Sequence, residues 1–113
     1  MYLFIGQDKA LLMDTGASGD SVAFPLYATV RQIIDQWQVE NNRKVSLVVA
    51  HSHNHDDHFA ADGQFKNKFN TTVVGLSREE VTQFFNLTDW PITEASFDLG
   101  GRSLSLPIQK YWS

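Results

Sequence analysis

All four histidines of the 113-residue chain fall between positions 51 and 58, in the run His51-Ser52-His53-Asn54-His55-Asp56-Asp57-His58. They follow directly on Val45-Ser46-Leu47-Val48-Val49-Ala50, an apolar, β-branched stretch that reads as a buried strand. A strand that ends in a polar cluster points to an α/β arrangement, because open α/β sheets gather their sites at the carboxyl ends of strands. On an extended segment side chains alternate, so His53 and His55 share a side and can converge on one cation. A following turn can bring Asp57 and His58 to a second. Imidazole and carboxylate without thiolate suit Zn²⁺, and also Fe²⁺, Mn²⁺ or Co²⁺. A solvated, His-rich loop is the competing account; the buried strand ahead and the two acids inside the cluster count against it.

The remaining pattern fits a layered α/β (α+β) chain, with a mixed sheet and two helices. Tyr2-Leu3-Phe4-Ile5 and Ala10-Leu11-Leu12-Met13 read as an antiparallel hairpin about Gly6-Gln7-Asp8-Lys9. Their near-continuous apolar character implies burial on both faces. Leu26, Val30, Ile33, Ile34 and Trp37 recur with helical period, which predicts an amphipathic helix over 25–40 with Pro25 in its first turn. Thr71-Thr72-Val73-Val74 predicts another strand. Ser77 and Glu80 form a capping box, with Leu76 and Val81 as a hydrophobic staple, so a second helix starts there and ends before Trp90-Pro91. Phe97 to Leu106 alternates on either side of Gly100-Gly101, the signal of a two-residue hairpin. Trp37, Phe84, Phe85 and Trp90 are expected in the core rather than as a substrate platform.

Composition narrows the partners. Thirteen acids against nine bases give a net charge of -4, and with no run of Lys or Arg the chain is a poor match for nucleic acid or an anionic membrane surface. The absence of Cys excludes a thiolate metal site or a Cys nucleophile. No apolar stretch is long enough to span a bilayer, and the start carries no basic leader. The compartment stays open: cytoplasm on the sequence as given, secretion or the periplasm if a signal precedes Met1.

The run His53-x-His55-x-Asp57-His58 resembles the HxHxDH signature of the metallo-β-lactamase-fold hydrolases, and Asp14-Thr15-Gly16 at the end of a strand resembles that superfamily's DTG segment. The two motifs occur in the family's order, with a helix between. The resemblance spans nearly the whole chain and, by family precedent, implies a single domain over 1–113 that forms the N-terminal half of an αββα sandwich. It implies that His53 and His55 ligate a first metal and that Asp57 and His58 ligate a second, with two Zn²⁺ in a complete site and Fe or Mn as alternatives. Asp57 would also orient the attacking water as a catalytic residue. Asp14 would lie in the second shell, fixing a ligand by hydrogen bonding, or would simply close a turn with Thr15 and Gly16. His51 is outside the signature: an ordinary hydrogen-bonded histidine, or a second-shell group or substitute ligand lining the pocket. Asp56 faces solvent or the second shell, and Asp62 is given no ligand role.

The implied activity is hydrolysis by a metal-activated water of an ester, lactone, thioester or β-lactam type bond in a small-molecule substrate. No histidine follows His58, whereas the family completes its site with later ligands; Glu94 and Asp98 do not replace them, Asp98 reading as a hairpin residue. Two expectations follow. The chain alone binds metal weakly, and the uncovered face of a half-domain is buried by a homo-oligomer or by a missing C-terminal half. The alternative function is a catalytically incomplete fragment serving as an assembly or metal-binding module.

Overall fold

A computed structural model of the chain describes residues 2–16, 19–20, 22–51, 61–75, 78–85, 94–101 and 103–107. In chain order these form β1 (Tyr2–Ile5), β2 (Lys9–Met13), α1 (Leu26–Asn41), β3 (Ser46–Ala50), a 3-10 turn (Asp62–Gln64), β4 (Thr71–Val73), α2 (Arg78–Phe85), β5 (Glu94–Asp98) and β6 (Ser103–Pro107). The first four strands make one sheet in the order β1-β2-β3-β4, and β5 and β6 pair separately. β1 runs antiparallel to β2, while β2-β3 and β3-β4 are parallel. This is an α+β chain with a mixed sheet, as its pattern predicts.

Alternation along β2 and β3 builds two cores from the same strands. Ala10, Leu12, Leu47 and Val49 face α1 and pack with Leu26, Val30, Ile34, Ala61 and Phe65. Leu11, Met13, Val48 and Ala50 face the other way and pack with Val74, Phe97 and Leu99, flanked by Phe85 and Leu104. Burial of each Leu, Ile or Phe contributes roughly 1.5–3 kcal/mol, and the two-faced burial explains why these strands are apolar at every position after their first residue, Lys9 and Ser46. β5 and its turn lie against the face that α1 leaves free. Phe84, Phe85 and Phe97 add a ring cluster there, with centroids 5.1 to 6.3 Å apart. Trp90 lies outside the described residues.

Helix α1 differs from its sequence pattern in two respects. Its buried stripe is Leu26, Val30 and Ile34, whereas Ile33 is 48% exposed and Trp37 only partly buried. A 3.6-residue period places Ile33 beside the stripe rather than on it, at the side away from the sheet. Pro25 is the N-cap and offers no side-chain bond to the helix. The Gln64 side chain replaces it from far along the sequence: its Oε1 accepts the Tyr27 N–H (3.1 Å), and its Nε2 donates to the Phe24 carbonyl (2.8 Å). The start of α1 is thus pinned to the 3-10 turn.

The C-terminal hairpin also departs from expectation. Its ladder closes at Asp98↔Ser103, short of Gly100-Gly101, so the turn is longer than Gly-Gly alone. Gly100 and Gly101 do take the left-handed φ values, +86° and +78°, that the sequence calls for. Leu99 leaves the strand because its side chain is buried and its carbonyl accepts two main-chain bonds from the β1-β2 turn, from Asp8 N–H (2.9 Å) and Lys9 N–H (3.1 Å). Gln7 N–H reaches the Gly100 carbonyl at 3.2 Å. A Cβ on Gly6 would fall on Leu99, so the two turns meet in a contact that admits no side chain. Asp98 is a turn residue, accepting the Gly100 N–H at 2.8 Å. For α2, the expected cap and staple at Leu76 and Ser77 lie outside the described residues. No described helix is long and apolar enough to cross a membrane.

Candidate functional site

The carboxyl ends of β2 and β3 lie side by side, and the polar residues that follow them are buried. Asp14 continues the ladder for one step, its N–H donating to the Ala50 carbonyl at 2.8 Å. It then takes φ +68°, and its side chain is buried. Thr15 is fully buried, and His51, the first residue past β3, is 2% exposed. Asp62, at the head of the 3-10 turn, is buried between Ala61 and Phe65, two fully enclosed members of the α1-side core.

These segments converge on one oxygen. The Thr15 hydroxyl donates to Asp62 Oδ1 at 2.8 Å, and His51 Nε2 lies 2.9 Å from that same atom. A carboxylate oxygen can only accept, so the bond places an imidazole proton on Nε2. Nδ1 is buried and, among the described residues, has no hydrogen-bond partner, whereas buried polar atoms are nearly always paired.

Of the residues singled out by sequence, the structure places Asp14 and His51 next to one another at the strand ends. His51 makes the ordinary hydrogen bond expected of it on one nitrogen only. His53, His55, Asp56, Asp57 and His58 lie outside the described residues. Among the described residues no three His, Asp or Glu side chains gather into a group that could hold a metal ion. Sequence reasoning missed Asp62 and Thr15 as site residues. The Asp62-Gly63 pair reads as a turn, and only the folding of that turn back onto β3 reveals its carboxylate as the partner of His51. Beside Asp62 opens a cleft of about 510 Å³, lined among others by Phe65, Lys66, Thr71, Val73 and Glu80.

The sequence profile of the metallo-beta-lactamase superfamily matches residues 1–104. A match over nearly the full length, on a chain whose parallel strands end in a buried polar cluster just ahead of the histidines, makes this chain a member of the metallo-beta-lactamase superfamily. No curated protein and no solved structure matches it.

Proposed function

We propose that the chain acts as a metal-dependent hydrolase of this superfamily, with His53 and His55 holding one cation and Asp57 and His58 a second, zinc in the first instance and iron or manganese as alternatives. The observation that carries the reading is the carboxylate-anchored imidazole at the end of β3. His51 is oriented through Nε2 by Asp62, the device by which proteins fix the rings around a metal, and its Nδ1 has no partner among the described residues. The donor set fits: nitrogen and oxygen ligands with no thiolate are those of hydrolytic zinc, iron and manganese sites.

A bound divalent cation supplies Lewis acidity there, lowering the pKa of water and stabilising the negative charge that develops on the substrate. The Asp57 carboxylate orients the attacking water. Asp14 and His51, both buried, act as supporting groups rather than meet substrate. The substrate is a small molecule with an ester, lactone, thioester or β-lactam bond. Residues 1–113 act as a single domain, half of an αββα sandwich completed by a further segment or a second copy.

That no histidine follows His58 favours a second reading, a metal-binding or assembly module without turnover. Metal content of the purified, untagged chain, read together with hydrolysis of chromogenic ester, lactone, thioester and β-lactam substrates, separates the two. Turnover that disappears in His53→Ala supports the hydrolase. Metal uptake without turnover supports the module, and absence of both overturns the metal reading altogether.

A further inference from the structure

Two side chains that no motif assigns, Thr15 and Asp62, meet at the atom that orients His51. We infer that Asp62 is a positioning residue: held by the Thr15 hydroxyl, its Oδ1 fixes the His51 ring through Nε2 and ties the start of the histidine run to a residue four positions past its end. This rests on the metal reading above and extends it to groups outside the signature.

The bond from His51 to Asp62 joins residues eleven positions apart, one two residues before His53 and the other four residues after His58. Closing a loop near its ligands lowers the entropy that gathering them around a cation costs. The anchor itself is firm. Ala61 and Phe65 on either side of the turn are fully buried, the turn closes with Phe65 N–H on the Asp62 carbonyl at 2.9 Å, and Gln64 is bonded to the first turn of α1 at 3.1 Å and to the residue before its cap at 2.8 Å. Thr15 ties the same oxygen to the end of β2 at 2.8 Å. Three elements therefore fix the carboxylate, and the carboxylate fixes the ring. Among the described residues Nδ1 of that ring has no partner, so the network holds the ring through Nε2 alone.

The test uses Asp62→Ala and Thr15→Val, which remove the acceptor and the hydroxyl, with Asp62→Asn and Thr15→Ser as variants that keep them. Zinc affinity is measured by competition with a chromogenic chelator, melting of the zinc-free protein serves as the stability control, and the His51 ring nitrogens are read by long-range proton–nitrogen correlation. Asp62→Ala and Thr15→Val should weaken zinc binding by about ten- to a hundredfold, while Asp62→Asn and Thr15→Ser recover most of it. Thr15→Val, being isosteric, should do so with little change in zinc-free melting. Unchanged zinc affinity in both disruptive variants overturns the inference, as does a loss that the conservative variants share. If the unaltered chain takes up no zinc, the metal reading falls and the ring decides what is left: a pure Nε2–H tautomer that is lost in Asp62→Ala upholds the positioning role, and a tautomer mixture in the unaltered chain refutes it.

Discussion

Where β2 and β3 begin, the structure is held by main chain: Ser46 N–H donates to the Asp8 carbonyl at 3.2 Å, and Asp8 and Lys9 donate to the Leu99 carbonyl at 2.9 and 3.1 Å. Where the same strands finish, it is held by side chains, Thr15 and His51 meeting Asp62 at 2.8 and 2.9 Å in a nearly dry setting. The first kind of contact is open to many sequences, provided glycine stands where no Cβ fits. The second needs three particular residues, and a buried hydroxyl, imidazole and carboxylate stabilise a fold little more than apolar groups of the same shape would. One end of the sheet is built to hold a shape, and the other to present chemical groups.

Substitutions at the two ends should therefore separate stability from metal affinity. The largest effect is expected for His53→Ala, which removes a candidate ligand: zinc affinity should fall by more than the roughly hundredfold typical of groups behind the ligands, with unchanged zinc-free melting, as read by chelator competition and calorimetry. Asp62→Ala strikes both properties. It strands a buried hydroxyl and a buried ring N–H at about 1–3 kcal/mol each, which denaturant titration should show beside the loss of zinc. Gly6→Ala acts at the opposite end, forcing a methyl group onto Leu99; it should cost about 1–3 kcal/mol of stability and leave zinc affinity unchanged. A loss of affinity there would erase the distinction between the two ends.

The smallest effect is expected at Asp20. The backbone N–H groups of Val22 and Ala23 donate to its carboxylate and hold its pKa below the ordinary 3.8. A depressed carboxyl pKa contributes stability above the ordinary value and loses it as pH falls through the folded one. The melting difference between the unaltered chain and Asp20→Ala should be slight at neutral pH and vanish as pH falls through the depressed pKa, below 3.8. A difference that persisted there would mean that the bonds to Val22 and Ala23 are not its source.

Much of this could be read from residue order. The continuous apolar runs of β2 and β3 announced burial on both faces, and the spacing of Leu26, Val30 and Ile34 announced α1 and the stripe it buries. Ile33 could not be sorted from Ile34 by period alone, because neighbouring positions on a helix differ by only 100° and the sheet decides which of the two it covers. The hairpin loop came out longer than Gly-Gly for a reason remote in sequence, the capture of Leu99 by the first turn. At the site, the histidine run was conspicuous and Asp62 was not. An acid before a glycine is ordinary turn chemistry, and nothing local distinguishes one that folds back under a histidine.

The bonds between the β1-β2 turn and the Leu99 carbonyl also set a condition on biosynthesis. Leu11 and Met13 are made about 86 residues ahead of their cover, Phe97 and Leu99 respectively. At roughly 5–20 residues per second, translation leaves that face of the nascent strands open for on the order of ten seconds. Its apolar groups must wait for a partner that the ribosome has not yet produced, and in that interval they are the natural target of a chaperone or of another unfinished chain.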